Sequence, residues 1–487
     1  MATPTKNDAI IIVGAGAFGL STALALAERG YVNVTVFDKQ LYDETQYSYF
    51  KGSDAASADI NKIVRAAYGG QTIYQELSFE GIEGWKAWND ELASGRVVPP
   101  GMSSAETIFY PHGNLVMTDT EELLPFERDT IANMERSGNK DTQLIAGDAR
   151  HEEIARQKGL AFAMDPFRRR ARGQRHTALL DSTGGTVLAD KACRFALCKA
   201  RSLGVKFVFG PAAGAFLSLN RTPGSINRIL GITTQDGKVH TAAFTIIACG
   251  CWTPTLLPQL DGLCEATAGS VVIFKIPKSS PLYDRLDPEN FPSWQWNMRR
   301  GAEGGLYGFP RDSNGLLKIG YRGTKYTNPK VQSDGKERSV PITRWSKSEP
   351  LTTIPVQAMK TIDRFVDSHL PELRAEGINV ETTRACWYTD SYDNHLVIDR
   401  VPDTEGLMVA TGGSGHAFKY MPCIGKWIVD VMERVDLNRP AIKAWQWRSL
   451  KANEQPFNVL MEGSKGNRAL GNVSLVHGIK GQERARL

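Results

Sequence analysis

Residues 9–40 constrain the fold of this chain more than any other segment of its sequence. Ile10–Val13 is a short run rich in β-branched residues, typical of a strand buried on both faces of a parallel sheet. The glycine-rich turn Gly14–Gly19 and apolar residues at helical spacing come next, and a second strand is predicted at Val32–Phe37. That strand ends at Asp38, which completes the order strand, glycine turn, helix, strand and acid. This order predicts a βαβ unit that binds a dinucleotide.

Each part of this unit has a physical role in holding a dinucleotide. Gly14 allows a tight turn, Gly16 lets the backbone approach a pyrophosphate, and Gly19 lets the helix pack close to the strand. The start of the helix offers free N–H groups and the positive end of its dipole to phosphate oxygens. Asp38 is placed to accept hydrogen bonds from a ribose diol. NAD and FAD share this unit, so the choice between them depends on the rest of the chain.

Further pieces of the same α/β domain recur in the middle of the chain and near its end. Buried strands are predicted at Phe244–Ala248 and Gly406–Ala410, and a helix is predicted at Tyr420–Val435. The segments between these pieces must then form a second, inserted domain. Strands separated by turns, which suit a mixed sheet, are predicted within it at Val271–Ile276, Gly305–Phe309 and Leu316–Tyr321.

The predicted division of the chain follows from this distribution. A discontinuous dinucleotide-binding domain is expected to comprise residues 1–90, 171–255 and 385–436. Residues 91–170 and 256–384 are expected to form the substrate domain. From about residue 437 to 487 the chain becomes polar and irregular, which indicates a tail on the protein surface.

Composition excludes several classes of protein. Hydrophobic residues at 41% and charged residues at 23% are ordinary for a globular chain, so disorder and coiled coil are excluded. No apolar run approaches the roughly 18–20 residues that span a bilayer, so a soluble protein without a membrane partner is expected. The arginine-rich stretch 168–175 lacks interleaved aromatic residues, which favours a solvent-exposed loop over contact with an acidic partner. We therefore expect no nucleic-acid partner.

The seven cysteines indicate neither a disulfide framework nor a metal site. Their odd number in a long chain without a secretory signal favours reduced thiols. Cys193 and Cys198, and likewise Cys249 and Cys251, lack the histidine partners that a metal site of this kind would use, so these cysteines are expected in the core.

Five blocks in order resemble the monomeric sarcosine oxidase and fructosyl-amino-acid oxidase (amadoriase) family of FAD-dependent amine oxidases, of the fungal type. They are GAGAFG (Gly14–Gly19), ADINKIVR (Ala58–Arg65), LYGFP with LKIGY (Leu306–Tyr321), ACWYTD (Ala385–Asp390) and GGSGHAFKY (Gly412–Tyr420). The likeness covers most of residues 9–435. It implies an α/β protein, with a Rossmann-like FAD-binding domain and an inserted substrate-binding domain built on a mixed β-sheet.

The resemblance implies a covalently bound FAD. Cys386 holds the position of the family cysteine that is joined to the flavin 8α-methyl group through a thioether, and the alternative is a buried apolar cysteine. The residues that the resemblance assigns to the cofactor site are Gly14, Ala15, Gly16, Phe18, Gly19, Asp38, Lys39, Asn61, Lys62, Ala213, Cys386, Gly413, Ser414, Gly415, His416 and Lys419.

Lys318 is the principal candidate for the reaction with oxygen. A lysine inside an apolar strand needs a partner or a task, because burying a bare charge costs several kcal/mol. The family places a lysine here beneath the flavin ring, where its charge stabilises developing superoxide. The alternative is a lysine at a strand edge that points to solvent.

The resemblance also implies the residues that hold the substrate. Arg65 and Lys419 would bind a substrate carboxylate through charge-assisted hydrogen bonds. Tyr307 and Tyr388 would line the pocket above the ring, with strand packing as the alternative. His416 would either handle a proton or make a structural contact.

The chain departs from the family pattern in three places. Arg322 stands where sarcosine oxidases carry a histidine soon after the oxygen-activating lysine. His416 stands where fructosyl-amino-acid oxidases commonly carry arginine, which disfavours sugar adducts as substrates. Residues 122–186 form a longer and more charged segment than compact family members need, and we expect this segment to form a pocket wall or a lid.

These observations predict an FAD-dependent oxidase of a secondary amine, an N-alkyl or N-methyl amino acid, that yields an imine and hydrogen peroxide. A role in secondary metabolism, in which the imine cyclises, is included in this prediction. The alternatives are a fructosyl-amino-acid oxidase, a pipecolate or saccharopine oxidase, and a flavin dehydrogenase with another electron acceptor. The expected partners are a small-molecule amine and molecular oxygen, and a monomer is expected. Ala485, Arg486 and Leu487 resemble a peroxisomal address, with the cytoplasm as the alternative location.

Overall fold

The computed structural model describes residues 3–222, 224 and 227–477. Within these residues the strands are β1 (Ile10–Val13), β2 (Val34–Asp38), β3 (Asn61–Val64), β4 (Phe109–Tyr110), β5 (Asn114–Thr118), β6 (Gln143–Ile145), β7 (Thr177–Asp181), β8 (Gly185–Leu188), β9 (Lys206–Phe209), β10 (Phe216–Arg221), β11 (Ile229–Thr234), β12 (Val239–Thr241), β13 (Phe244–Ile247), β14 (Cys264–Lys275), β15 (Ser293–Trp296), β16 (Leu306–Gly308), β17 (Leu316–Tyr326), β18 (Pro329–Val331), β19 (Glu337–Ser339), β20 (Val380–Ser391), β21 (Val397–Arg400) and β22 (Leu407–Thr411). The helices of the same residues are α1 (Ala17–Glu28), α2 (Tyr42–Thr45), α3 (Thr72–Ala93), α4 (Pro125–Arg136), α5 (Ala149–Gln157), α6 (Ala189–Ser202), α7 (Thr253–Leu256), α8 (Leu282–Arg285), α9 (Val356–His369), α10 (Pro371–Ala375), α11 (Ile424–Glu433) and α12 (Pro440–Trp445).

One sheet carries the predicted dinucleotide-binding unit. Its strand order is β21-β22-β13-β1-β2-β9, and all neighbours are parallel except β21 and β22. Every residue of β1 is buried, as its β-branched sequence predicts, because helices and loops cover both faces of the sheet. Helix α1 packs against α6 and α11. The predicted βαβ unit and the buried strands in the middle and near the end of the chain are confirmed.

The other large sheet is mixed. Its order is β20-β14-β17-β16-β15-β5-β7-β6, in which β15 and β5 are parallel and the other neighbours antiparallel. Its core contains Trp294 stacked on Phe365 of α9, with ring centroids 4.3 Å apart. The three strands predicted for this part of the chain are confirmed as parts of β14, β16 and β17. The predicted α/β fold with a second, mixed sheet is therefore confirmed.

The predicted domain boundaries at residues 171 and 385 do not coincide with the two sheets. Strand β7, within 171–255, pairs with β5 and β6 of the mixed sheet. Strand β20 pairs along its length with β14, so the start of the range 385–436 also belongs to that sheet. A long strand that crosses an assumed boundary carries no local sequence mark of the crossing.

The expected surface tail differs from the structure. Helix α12 buries Trp445 completely and packs against α3, so this part of the chain belongs to the core. Farther on, Ala469 and Leu475 form β-bridges with Thr327 and Pro355. Ala485, Arg486 and Leu487 lie outside the described residues. Among the described residues, no helix combines the length and apolar character that a membrane crossing requires.

Candidate active site

A cavity of about 460 Å³ lies where the carboxyl ends of parallel strands meet the mixed sheet. The loops that follow β1, β2, β13 and β22 line it on one side, and residues of β16, β17 and β20 line it on the other. Ligands of open α/β sheets bind at this edge, because loops from both halves of the sheet converge there.

The glycine turn forms one end of the cavity. Gly14 has φ of 107°, and a Cβ at this position would lie 2.3 Å from the carbonyl oxygen of Ala248. The turn is fastened to the next strand, because the backbone N–H of Ala15 donates to Asp38 Oδ2 at 2.7 Å and that of Gln40 donates to Asp38 Oδ1 at 2.9 Å. Each Asp38 oxygen keeps a second lone pair, so the carboxylate can still accept a ribose hydroxyl. Burial raises the pKa of Asp38, and the two backbone hydrogen bonds oppose that rise.

Most of the residues assigned to the cofactor line this cavity. Those that do are Gly14, Gly16, Phe18, Asp38, Lys39, Lys62, Cys386, Gly413, Gly415, His416 and Lys419. Those that stand behind the wall are Ala15, Gly19, Asn61, Ala213 and Ser414. Next to position 213 the following two residues, Gly214 and Ala215, line the cavity. Lys39 lies over the ring of Trp252, with Nζ 3.7 Å from its centroid.

A buried cluster of charges lies behind the cavity. Lys318 is 1% exposed, and its Nζ lies 2.8 Å from Asp59 Oδ2 and 2.6 Å from the carbonyl oxygen of Asn61. Lys62 Nζ lies 2.6 Å from the same Asp59 oxygen, and Arg384 Nη1 lies 3.6 Å from the other. One carboxylate therefore serves three cations. The alternative of a solvent-facing Lys318 at a strand edge is wrong, because β17 lies inside the sheet.

The surroundings of Lys318 lower the pKa of its ammonium group. Burial lowers the pKa of Lys318 to about 8, even though the charge of Asp59 opposes the effect. For Asp59, burial alone would raise the pKa, but the charges of Lys318, Lys62 and Arg384 lower it below its ordinary range. Lys318 Nζ lies 4.4 Å from the ring centroid of Phe309, which does line the cavity. The ring of Phe309 therefore lies between the Lys318 ammonium and the cavity.

Strand β20 presents three functional side chains on one face. Arg384, Cys386 and Tyr388 alternate with residues of the opposite face, as the pleat requires. Cys386 is a free, buried thiol on the cavity wall. The hydroxyl of Tyr388 is buried, and among the described residues it has no hydrogen-bond partner. Such a group indicates a position that a ligand completes.

The ring of Tyr307 lies on the backbone of Gly320. A Cβ at position 320 would meet Cζ of Tyr307 at 2.2 Å, so this ring position depends on the absence of a side chain there. Lys318 and Arg322 precede and follow Gly320 on the same face of β17. Tyr307 is therefore flanked by two cations, one behind the cavity wall and one on it.

Tyr68 organises the other cationic side of the cavity. Lys419 Nζ donates to the Tyr68 hydroxyl oxygen at 2.8 Å, and the Tyr420 hydroxyl donates to the same oxygen at 2.6 Å. Tyr68 can then donate to His416 Nδ1 at 3.0 Å, while His416 Nε2 faces the carbonyl oxygen of Asn394 at 3.0 Å. Since a carbonyl only accepts, Nε2 carries the proton and the imidazole is neutral. Burial, followed by the charge of Lys419, lowers the pKa of His416 well below its ordinary value.

The sequence analysis missed Asp59 and Tyr68, although both lie in or beside a block that it singled out. Asp59 is the acid of ADINKIVR, and Tyr68 follows Arg65 by three positions. A buried Lys318 requires a partner, and the structure gives it Asp59, which is distant in sequence. Arg65 lies over the Tyr68 ring, with Cζ 4.5 Å from its centroid.

The segment 122–186 forms neither a wall nor a lid of this cavity. None of its residues, all of which are described, lines the cavity. Its apolar residues, among them Leu144 and Phe167, pack into the core of the mixed sheet. Its arginines form ion pairs, such as Arg170 with Glu152 and Arg175 with Glu121, both at 2.8 Å. The segment therefore supports the mixed sheet, and its Asp181 also holds the loop that carries Tyr68 by accepting from the backbone N–H of Ala66, without lining the cavity itself.

Comparison with known proteins identifies the family of this chain. The family model described as FAD dependent oxidoreductase matches residues 9–431. L-saccharopine oxidase of Schizosaccharomyces pombe is 27% identical over 460 residues, which are 90% of this chain and 93% of that protein. Peroxisomal sarcosine oxidase of Homo sapiens is 24% identical, covering 86% of this chain and 91% of that protein.

Solved structures show the same architecture. The deglycating enzyme fructosamine oxidase from Aspergillus fumigatus (Amadoriase II), in complex with FSA, superposes with a TM-score of 0.69 at 26% identity. The match covers 91% of this chain and 90% of that chain. The resemblance inferred from the five sequence blocks is thereby confirmed.

Proposed function

This chain belongs to the FAD-dependent oxidoreductase family, and within that family we propose that it is an oxidase of a secondary amine bearing a carboxylate. The substrate would be an N-alkyl or N-methyl amino acid, and the overall reaction would convert the amine and oxygen to an imine and hydrogen peroxide. A later cyclisation of the imine, as part of secondary metabolism, belongs to this proposal. The relatives named for oxidation of sarcosine, saccharopine and fructosamine all act on secondary amines, which supports it.

The residues present fit FAD. The glycine turn, the start of α1 and Asp38 provide what a pyrophosphate and a ribose require. Cys386 and Tyr388 provide a free thiol and an unpartnered hydroxyl at the other end of the same cavity. Gly413 and Gly415 bring backbone close to the cavity, with Lys39, Lys62 and Phe18 beside it. When bound, FAD supplies the two-electron oxidation of the C–N bond and the transfer of those electrons to oxygen.

The chain's own residues would bind and orient the amine. Arg65 and Lys419 would hold the substrate carboxylate through charge-assisted hydrogen bonds, with Tyr68 fixing the Lys419 ammonium. Tyr307 and Tyr388 would exclude water from the reacting centre and contact the substrate. The neutral His416 would accept a hydrogen bond from the Tyr68 hydroxyl and so fix its orientation, a structural role. Lys318, held by Asp59, would supply the positive charge that the oxygen reaction uses.

We further propose that Cys386 carries the flavin. Joining its Sγ to the 8α-methyl carbon removes one hydrogen from the thiol and one from the methyl group, and oxygen can accept both as hydrogen peroxide. The position of Arg384 two residues earlier on the same face supports this proposal, because its guanidinium places positive charge on the side of the strand where the sulfur would react. Cys386 as a merely apolar core residue is the alternative.

One observation carries the proposed function more than any other. Arg65 and Lys419 line the same cavity as Cys386, and in the described part of the chain neither forms an ion pair with a carboxylate. Because these two positive charges lack a carboxylate partner among the described residues, an anionic substrate would compensate them, and the carboxylate of an amino acid is such an anion.

The test is peroxide release under air from N-methyltyrosine and from fructosyl-valine at equal concentrations. Turnover of the N-methyl compound alone supports the proposal. Turnover of the sugar adduct alone would move the chain to the deglycating oxidases, and reduction of the flavin without peroxide would indicate a dehydrogenase. Failure of every secondary amine to bleach the flavin without air would refute an amine oxidase altogether.

Location and assembly complete the proposal. Residues 485–487, which resemble a peroxisomal address, support a peroxisomal location, and a relative is named peroxisomal sarcosine oxidase. The chemistry also supports it, since a peroxide-forming oxidase suits a compartment that contains catalase. We also propose a monomer. Fluorescence microscopy of the intact chain and of a variant without its last three residues tests the location.

A further inference from the structure

Arg322 lies on the cavity wall, but the proposed chemistry gives it no task. It follows Lys318 by four residues on β17, so the two side chains share a face about 13 Å apart along the strand. Where Lys318 is enclosed behind the wall with Asp59, Arg322 is only partly buried and faces the cavity space. The two cations therefore serve different ends of the site.

The backbone holds the guanidinium of Arg322 in place. Nη1 donates to the carbonyl oxygen of Gly415 at 3.3 Å, and Nη2 donates to that of Ser414 at 3.2 Å. A Cβ at position 415 would lie 2.7 Å from Arg322 Cζ, so the guanidinium occupies the space that the glycine leaves free. These contacts use two of the five N–H groups of an arginine and leave three for a ligand.

Among the residues that the structure describes, the charge of Arg322 has no counter-ion, and neither have the charges of Arg65 and Lys419. The nearby acids are engaged elsewhere. Asp390 binds Lys325 at 2.8 Å, and Asp181 accepts from the backbone N–H of Ala66 at 2.9 Å.

The three charges repel one another. Burial, followed by the charges of Arg65 and Arg322, lowers the pKa of Lys419 well below its ordinary value. The pyrophosphate of a bound FAD would lie at the glycine turn, whereas Arg322 lies beside Tyr388 at the other end of the cavity, with Cζ 5.6 Å from the ring centroid. One substrate carboxylate would then offset only part of the three positive charges. Arg299, whose charge acts on Arg65 although it does not line the cavity, provides a contrast, since it has its own partner in Glu127 at 3.2 Å. Arg299 is thus neutralised, whereas the three cavity cations have no carboxylate partner among the residues that the structure describes.

We propose that Arg322 forms a second anion subsite, and that the preferred substrate is a secondary amine with a carboxylate on each of its two N-substituents. This inference rests on the proposed function. Arg65 and Lys419 bind the carboxylate of the amino acid, and the three free N–H groups of Arg322 bind the carboxylate of the second substituent. Arginine suits this task because its planar fork matches a carboxylate in two parallel hydrogen bonds.

The experiment compares matched ligands on the holoenzyme. N-carboxymethyl, N-carboxyethyl, N-carboxypropyl and N-carboxybutyl alanine are compared with the N-alkyl alanines of the same chain length, by kcat/KM for peroxide release. In addition, thioether analogues, with sulfur in place of the amine nitrogen, are titrated by calorimetry, so that binding is measured without turnover. At one chain length the dicarboxylate should have a kcat/KM about thirtyfold or more above that of its monocarboxylate partner, and its thioether analogue should bind more tightly by a similar factor.

The variants locate the effect. Arg322→Met should lower kcat/KM and the binding affinity for the best dicarboxylate by about a hundredfold, and those for its monocarboxylate partner by less than about threefold. Arg322→Lys should restore part of the preference for the dicarboxylate. Arg299→Met removes an equally large cation that already has a partner and should change neither ligand by more than about threefold. Flavin content and thermal unfolding are measured for each variant, so that a folding defect is recognised.

Two results would overturn the inference. One is equal binding of the mono- and dicarboxylate series by the unaltered chain. The other is an equal loss for both series in Arg322→Met together with a changed flavin spectrum, which would mean that Arg322 serves the cofactor. Failure of the proposed function has a different signature, namely no turnover of any amine, and the thioether titration still decides whether the second subsite exists.

Discussion

Replacing Asp59 by asparagine should abolish the fast reaction with oxygen while leaving substrate oxidation nearly intact. Asp59 is 5% exposed and is the one carboxylate that the described residues place within ion-pair distance of Lys318. Asparagine keeps the size of the side chain and its ability to accept a hydrogen bond, but removes its charge. The change therefore isolates the electrostatic role of Asp59.

The magnitude follows from the geometry. With an effective dielectric constant of about 20, two charges 2.8 Å apart attract each other by about 6 kcal/mol. Lys318 already has its pKa lowered to about 8 by burial, against which Asp59 acts. At about 1.4 kcal/mol per tenfold change in protonation, losing this attraction brings the pKa of Lys318 well below neutral. Lysine in the variant is then an uncharged amine that cannot stabilise developing negative charge on oxygen.

Stopped-flow measurement of the two half-reactions gives the test. Oxidation of reduced Asp59→Asn enzyme by oxygen should be slower by a factor of about 100–1000, because a unit charge near the reacting oxygen contributes on the order of 3–4 kcal/mol. Reduction by substrate without air should change by less than about threefold. In the unaltered chain the oxygen reaction should decline as the pH rises through about 8, since the charged lysine is the active form and loses its proton there.

Two comparisons make the result decisive. Asp261→Asn removes another carboxylate that pairs with a buried cation, Arg338, at 2.7 Å and away from the cavity wall, and should leave both half-reactions unchanged. The double variant Asp59→Asn with Lys318→Met should be no slower with oxygen than Lys318→Met alone, because both changes remove the same charge. Equal slowing of both half-reactions in Asp59→Asn, or losses that add in the double variant, would refute the reasoning.

Three further predictions concern the cofactor link, the cavity wall and the core. Cys386→Ala should release its flavin on acid precipitation, whereas Cys251→Ala should retain it in the pellet, and flavin retained in both would contradict the proposed link. Gly320→Ala should lower kcat/KM at least tenfold because its methyl group displaces the ring of Tyr307, while Gly70→Ala, where nothing lies within 4 Å of the added Cβ, should have no measurable effect. Trp445→Ala should lower the free energy of unfolding by about 3–5 kcal/mol in denaturant titration, because a fully buried indole is removed, and a change below about 1 kcal/mol would favour a surface tail after all.

Local sequence determined what could be predicted of the fold. The βαβ unit is specified within about 30 residues, so its strands, glycine turn and helix follow from spacing alone. Helix α12 was missed because Trp445 is buried against α3, a contact over more than 350 residues that no local pattern records. A polar stretch with a few aromatic residues resembles a surface tail until its packing partner is known.

The site was predictable to the extent that family blocks contain it. Cys386, Tyr388 and Lys318 were found by position within a block, but the residues that hold the buried lysines lie far away in the chain. Asp59 and Lys318 are separated by 259 residues, and Lys419 and Tyr68 by 351. Sequence therefore identified the groups that carry charge and left open which of them neutralise one another.

The presence or absence of a carboxylate partner separates the two roles that the cations of the site would have, the reaction with oxygen and the binding of substrate. Oxygen is uncharged, so a lysine that assists its reduction must be kept charged by the protein itself, and Lys318 has Asp59 for this purpose. A substrate carboxylate brings its own charge, so the residues that bind it are better left without a partner, because an internal ion pair would have to be broken first. Arg65, Lys419 and Arg322 have no such partner within the described residues. The number of uncompensated cations on the wall therefore reports the charge of the ligand, and here it indicates more than one carboxylate.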